Sequence, residues 1–373
     1  MNHKETIDAF FPGREVIRVR EYGNGHINDT FKLEIKGSAT AYILQRINTD
    51  VFKNPHGIIA NHVRLQQAFH AGGNSPESPA GKDGMVIPGE RNGLVIPALL
   101  AAKNGDYLHT GSDGSVWRVM AFIPETRSLE LVEEEWQARQ AGMAFGWFAR
   151  VCSDLDPTVF EEAIPDFHRL SFRLRQLEDA IENNRAKRLE QVRETVDFFR
   201  LRAAALGKVE ELADRGEIPL RVVHNDTKIN NLLFRGKKAV AVIDLDTVGP
   251  GSLFYDYGDA IRTGANAAME DERDSRKAVL VPTAFEAYTR AYMKQIRSVA
   301  TPAEKTWFHL APVLMTYIMG IRFLADFLNG DTYYKTAYAD HNLIRAKVQQ
   351  ALISDMESRA AWMQDIIAES FNE

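Results

Sequence analysis

The hydrophobic pattern changes period once along this chain, and that change limits what the chain can fold into. Up to Phe122, short β-branched or aromatic runs alternate with Gly and Asn punctuation: Val16 to Tyr22, Thr30 to Ile35, Ala41 to Ile47, Leu94 to Leu100 and Val116 to Phe122. These runs predict five strands. One helix is predicted among them, from Pro55 to Phe69, where Ile58, Leu65 and Phe69 recur at helical spacing after a proline suited to a first turn. Asn74 to Gly84 is rich in Gly, Pro and Ser and reads as a surface loop. Beyond Phe122 the apolar recurrence lengthens to that of helices, over Val132 to Val151, Phe167 to Asn184, Ala186 to Leu206 and Ala303 to Leu328. Pro312 is expected to end or kink the start of the last of these. Strands followed by helices predict an α+β protein. At 373 residues the chain exceeds what one core usually supports, so two lobes are expected, 1–122 and 123–373.

Charge and cysteine usage exclude several classes. A net charge of -6, with acidic and basic residues nearly balanced, offers no field for a polyanion, so nucleic acid is not expected as a partner. The one cysteine, Cys152, cannot form an intramolecular disulfide and reads as core, which suits a reducing cytoplasm. The amino-terminal stretch lacks the apolar region of a signal peptide, and the runs Leu94 to Ala102 and Leu310 to Ile321 are too short to span a bilayer, so no membrane segment is expected. The acidic cluster Glu133 to Glu135 reads as a solvated first helical turn, and the basic run Arg185 to Arg188 as a solvent face.

The helical half is broken once, between Leu220 and Asp244, where two short strands flank His224-Asn225-Asp226-Thr227-Lys228-Ile229-Asn230-Asn231. An Asp flanked by polar residues is followed five positions later by Asn, and Asp244 comes thirteen positions after that in Val242-Ile243-Asp244-Leu245-Asp246. Phosphoryl transfer needs little more than this: a carboxylate to orient and deprotonate the acceptor hydroxyl, and oxygen ligands to hold magnesium against nucleotide phosphates. The segment resembles the catalytic loop of protein kinases, HRDxKxxN, and the chain is similar to the kinase-like small-molecule phosphotransferases, which include aminoglycoside phosphotransferases, choline kinases and homoserine kinases.

That resemblance implies a bilobal protein-kinase-like fold, with a small antiparallel β-rich lobe, a larger helical lobe and ATP between them. It implies Asp226 as catalytic base, Lys228 as a stabiliser of the transferring group, Asn231 and Asp244 as magnesium ligands, and His224 as a brace. Asp256, in Gly251-Ser252-Leu253-Phe254-Tyr255-Asp256, matches an element that fixes the catalytic loop through backbone hydrogen bonds. For Asp259 a helix-capping or surface role is as good a reading as a functional one. Gly23 and Gly25, in Tyr22-Gly23-Asn24-Gly25-His26, lie where a glycine-rich loop covers the phosphates, although a plain hairpin turn explains the same residues. The third strand, Tyr42 to Ile47, carries Gln45 and Arg46 where the kinase pattern has Lys, and no Glu or Asp occurs between Pro55 and Phe69. Strand alternation puts Gln45 and Arg46 on opposite faces, so one of them contacts the nucleotide, and register favours Gln45.

A narrower resemblance, to N-acetylhexosamine 1-kinases, runs through YGNGHINDTF, YILQRINTDVF, WRVMAFI, LRVVHNDTKINNLLF, VIDLDTVGPGSLFYDYGDAIRTGA and GIRFLADFLNGDTYY. It implies phosphorylation of the C1 hydroxyl of GlcNAc or GalNAc, with His26, Arg322 and Tyr333 as sugar contacts. The residues themselves leave other readings open: His26 as a turn residue, Arg322 paired with Asp326 at i,i+4, and Tyr333 as a packing aromatic. Two other functions also remain: a kinase for an aminoglycoside, choline or amino alcohol, and a nucleotide-binding pseudokinase. Oligomeric state has no sequence signal.

Overall fold

The computed structural model describes residues 3–23, 27–71 and 94–373. The loop expected at Asn74 to Gly84 lies outside them. The chain forms two compact units: Met1–Ser128 with Asp154–Pro165 and Leu232–Pro250, and Leu129–Ser153 with Asp166–Asn231 and Gly251–Glu373.

The first unit is built on an antiparallel sheet. After helix α1 (Lys4–Phe10) come β1 (Val16–Glu21), β2 (Asp29–Ile35), β3 (Ala41–Ile47), helix α2 (Pro55–Ala71), β4 (Leu99–Leu100), β5 (His109–Thr110) and β6 (Val116–Ala121). The strand order is β1-β2-β3-β6-β4, with β5 also on β6. Period-two alternation decides which side chains meet. Leu33, Ile35, Tyr42, Leu44, Trp117 and Val119 pack with Ile7 and Phe10 of α1 on one face. Ile47 and Leu99 pack with Ile58 and Ile59 of α2. The expected fourth strand shrinks to two paired residues, because Val95 leaves this sheet to bridge Ala241. Ala241 belongs to a separate hairpin, Leu232–Arg235 with Lys238–Val242.

The second unit is helical around the short strand β7 (Arg221–Val223). Its helices are α3 (Glu135–Cys152), α4 (Leu170–Asn183), α5 (Arg193–Arg200), α6 (Ala203–Asp214), α7 (Leu253–Gly264), α8 (Pro282–Ile296), α9 (Pro302–Trp307), α10 (Ala311–Asn329), α11 (His341–Ser358) and α12 (Ala360–Asn372). Helices α3 and α8 pack closely because α3 presents glycines: a Cβ on Gly142 would lie 2.3 Å from the Tyr288 carbonyl oxygen.

The helix expected over Ala186 to Leu206 is not continuous. Asn184 takes a left-handed C-cap, and its Oδ1 accepts from the backbone N–H groups of Arg188 and Leu189, turning the chain. At the other break the Phe198 carbonyl accepts from Arg202 and the Phe199 carbonyl from the Tyr317 hydroxyl, so side chains cap the end of α5. Arg188 is not a solvent residue: it binds the Phe327 carbonyl and pairs with Asp331 at 2.5 Å. The acidic run Glu133 to Glu135 is exposed at the start of α3, as expected, and Gln137 Oε1 accepts from the backbone N–H groups of Glu133 and Glu134. Asp259 is buried and pairs with Arg262 at 2.8 Å, which replaces both the capping and the surface readings.

The last predicted helix is broken by a 3-10 turn, Phe308–Leu310, and Pro312 sits in the first turn of α10, where its missing N–H is harmless. Pro302–Asn329 as one stretch is long and apolar enough to cross a membrane by length and composition. Some 78% of its most apolar window is buried inside the protein, the position of a core helix. Cys152 is fully buried, as core.

Candidate active site

The loop after β7 is held by hydrogen bonds to α7. Asn225 adopts a left-handed conformation (φ 63°), which Asn tolerates better than most residues. The conformation is held by Asp256 in the first turn of α7: its carboxylate accepts from the backbone N–H of His224 at 2.9 Å and of Asn225 at 2.7 Å. The Thr227 hydroxyl donates to the Asp256 carbonyl. Burial, helped by the negative charges of Asp259 and Asp226, pushes the Asp256 pKa up to about 7 against the pull of those two donors. His224 is fully buried and makes edge contacts to Phe145 and Phe148 of α3.

This brace presents Asp226. Lys228 Nζ lies 3.0 Å from Asp226 Oδ1, and Asn231 Nδ2 donates to Oδ2 at 2.9 Å and to the Asp226 carbonyl at 2.8 Å. Burial raises the pKa of Asp226, but the Lys228 ammonium, His224 and the Asn231 amide outweigh it and hold the carboxyl below its usual range. Lys228 is correspondingly raised by Asp226. The result is an anionic, partly exposed carboxylate with fixed orientation. Beyond Lys228 the cluster continues to Arg262, which pairs with Glu270 at 2.6 Å as well as with Asp259.

Asp244 belongs to the first unit. It is exposed and left-handed (φ 58°, ψ 60°) just after the hairpin, a strained conformation for a residue other than glycine. Among the described residues no group of three or more His, Cys, Asp or Glu is placed to hold a metal. The residues expected to bind magnesium fit that ion chemically. The Asn231 amide nitrogen is spent on Asp226, which leaves its Oδ1 as the end not engaged there, and Asp244 adds a carboxylate. Both are the hard oxygen donors that magnesium takes.

On the sheet, Gly23 has φ 82°, a conformation that favours glycine. Gly25 and His26 lie outside the described residues. Gln45 and Arg46 point to opposite faces. Arg46 pairs with Asp29 at 3.5 Å. Gln45 donates to Thr30 at 3.0 Å and accepts from Arg118 Nε at 2.9 Å and Nη2 at 2.5 Å.

Arg118 was not singled out from the sequence, yet it is the buried cation of this sheet. It stands directly opposite Gln45 on β6, 2% exposed, and its Nη1 lies 2.5 Å from Asp246, which is 1% exposed. Asp246 also accepts from Asn28 Nδ2 at 2.7 Å, and Asn28 in turn accepts from the Asn48 backbone. His62 of α2 completes the cluster: burial and Arg118 lower its pKa to about 4, so it is neutral, and its Nε2 bonds the Pro97 carbonyl. The signal for this group was an arginine interrupting an apolar strand, Val116-Trp117-Arg118-Val119, and a second Asp two residues after Asp244.

Arg322 and Tyr333 are brought together. The Arg322 guanidinium stacks on Phe167 at 4.8 Å, with the rings of Tyr333 and Tyr334 at 6.0 and 5.7 Å. The alternative pairing with Asp326 is not formed: Asp326 accepts from the backbone N–H groups of Thr332, Tyr333 and Tyr334 and so shapes the turn carrying the tyrosines. Tyr333 is 60% exposed rather than a packing aromatic.

An antiparallel sheet unit, and a helical unit that carries this loop, define a kinase-like phosphotransferase fold. A profile of the phosphotransferase enzyme family matches residues 18–294, and the chain belongs to that family. Among solved structures, a microcompartment-associated aminopropanol kinase is similar with a TM-score of 0.58 and 14% identity, over 96% of this chain and 97% of that one. A spectinomycin phosphotransferase in complex with ADP and spectinomycin gives 0.55 and 10%, over 96% and 97%. A choline kinase from Cryptosporidium parvum Iowa II gives 0.51 and 12%, over 99% and 98%. At these identities the likeness shows the fold.

Proposed function

We propose that this phosphotransferase moves the γ-phosphoryl group of ATP to the C1 hydroxyl of an N-acetylhexosamine, giving ADP and the sugar 1-phosphate. The observation that carries the reading is the Asp226 carboxylate, fixed between Lys228 and Asn231 on a loop braced by Asp256. Asp226 orients the acceptor hydroxyl and accepts its proton as the O–P bond forms. A carboxylate held below its usual pKa is a weak base, which suits a reaction whose loose transition state asks mainly for positioning. Lys228 offsets charge on the transferring group. Asn231 and Asp244 would hold magnesium, which when bound neutralises nucleotide phosphate charge.

In this reading the lobe 1–122 carries the nucleotide, with Gly23 and Gly25 over the phosphates and Gln45 or Arg46 beside them. The lobe 123–373 carries the acceptor, with Arg322 and Tyr333 as sugar contacts, and the resemblance assigns the same role to His26. The ADP in the spectinomycin phosphotransferase supports ATP as donor. The sugar rests on the motifs spread from Tyr22 to the segment around Tyr333, and on the guanidinium and phenol beside one cavity. The cytoplasm, where ATP is available, suits such a reaction.

A second reading, a kinase for an amine-bearing acceptor, is favoured by the aminopropanol and choline kinases among the similar structures. Incubation with ATP, magnesium and a panel of sugars, aminoglycosides, choline and amino alcohols separates the two. Phosphorus NMR should show an anomeric phosphate on GlcNAc or GalNAc. A C6 ester overturns the regiochemistry, and turnover of the amines alone overturns the sugar. A nucleotide-binding module without catalysis would release no ADP in response to any acceptor.

A further inference from the structure

The cavity beside Arg322 contains a second arginine with no carboxylate partner. It measures about 280 Å³, and Arg173, Arg322, Asp326, Tyr333 and Tyr334 are among its lining residues. Arg173 is 8% exposed and Arg322 9% exposed, and neither forms an ion pair among the described residues. Arg173 donates through Nε and Nη2 to the Phe167 carbonyl, at 3.0 and 2.8 Å, and through Nη1 to Gln176. The polar partner of Arg322 is the Met319 sulfur, at 3.3 Å.

The two acids in the lining form no ion pair with these arginines among the described residues. Asp326 is occupied by three backbone N–H groups and the Asn342 amide, and Asp179 is exposed. Two buried guanidiniums that face one space without a directly paired carboxylate are placed to bind a ligand that supplies acceptor oxygens. Burial, with the Arg322 charge beside it, lowers the pKa of Arg173 to about 10 and that of His168 to about 3.

The cavity is also tied to the proposed chemistry. Arg322 stacks on Phe167, and the next residue, His168, bonds the Asn225 carbonyl through Nε2 at 2.9 Å, one residue before Asp226.

We propose that Arg173 is a specificity-determining residue of the acceptor pocket: with Arg322 it binds a carbonyl or carboxylate oxygen on the acceptor, and the pair excludes acceptors that bring an ammonium there. The inference rests on the reading that Asp226 serves a small acceptor in this unit, and it deepens that reading by naming the chemistry the acceptor must carry. An acetamide carbonyl fits it; a protonated amine adds a third positive charge beside two guanidiniums that have no paired carboxylate among the described residues.

The test measures acceptor KM and ATP KM for N-acetylglucosamine, glucuronate, glucosamine and choline, with wild type, Arg173→Gln, Arg173→Glu and Arg173→Lys, each checked by near-UV circular dichroism. Arg173→Gln should raise the KM of the oxygen-bearing acceptor roughly ten- to a hundredfold and leave ATP KM in place. Arg173→Glu should shift preference toward glucosamine, and Arg173→Lys should keep the wild-type order of preference. If Arg173→Gln and Arg173→Glu do not fold, the wild-type order and Arg173→Lys still decide, because equal use of glucosamine and N-acetylglucosamine overturns the inference. An unchanged acceptor KM in folded Arg173→Gln overturns it while leaving the hexosamine reading intact. Turnover of glucuronate but not of N-acetylglucosamine, with the Arg173→Gln effect present, upholds it and removes the hexosamine. Turnover of choline and glucosamine in preference overturns both.

Discussion

Arg118→Met is the perturbation that most directly probes how the sheet unit is held together. It removes the ion pair to Asp246 at 2.5 Å and both donors to Gln45 Oε1, leaving a carboxylate that is 1% exposed with only the Asn28 amide. Unit charges about 4 Å apart at an effective dielectric near 20 interact by about 4 kcal/mol, and breaking a buried pair from one side costs about 3 to 5 kcal/mol. The expected loss is therefore about 4 kcal/mol. With a urea m-value of about 2 kcal/mol per molar, the midpoint of this unit should fall by roughly 2 M. Urea titration followed by tryptophan fluorescence reads it, since Trp117 is buried on the same strand.

The companion variant Asp246→Leu strands the arginine and should cost a similar amount. The double variant Arg118→Met, Asp246→Leu should cost less than either single change, because no unpaired charge remains. Single losses under about 1 kcal/mol, or a double variant equal to the sum of the singles, would refute the pairing argument.

Three further outcomes are expected. Asp226→Ala and Asp244→Ala should each lower turnover by about a thousandfold or more with an unchanged melting curve, because both carboxylates are at least partly exposed; near-normal rates in either remove it from the mechanism. Acid should destabilise the protein through His62, whose folded pKa of about 4 lies below its ordinary 6.5. Its contribution is present above pH 6.5 and is lost as pH falls to 4, about 3 kcal/mol in all, so His62→Gln should flatten that limb of a stability-versus-pH curve. Gly142→Ala should lower the melting temperature by several degrees, although Ala favours helices by about 1 kcal/mol, because its Cβ would meet the Tyr288 carbonyl at 2.3 Å; an unchanged or higher value shows that α3 and α8 can separate without penalty.

Much of this protein follows from its sequence because short-range rules generate it. The strands β1, β2, β3 and β6 and helix α2 follow from side-chain period and punctuation, and the loop from His224 to Asn231 carries its chemistry within eight consecutive positions. Asp226, Lys228 and Asn231 meet because they share one tight turn.

What lay beyond the sequence has a common cause: it depends on groups brought together by folding. The break between α5 and α6 exists because Tyr317 and Arg202 capture carbonyls at the end of α5. Arg118 and Asp246 meet only once β6 has paired with β3 and the turn after the hairpin has packed against that sheet. Arg173 and Arg322 come from different helices, α4 and α10, and nothing local to either predicts that they share a cavity or that Asp326 is consumed by backbone N–H groups. Periodicity and turn chemistry are encoded residue by residue. The balance of buried charge is decided only when helices and strands distant in sequence are packed together, since desolvation and pairing are properties of that packing.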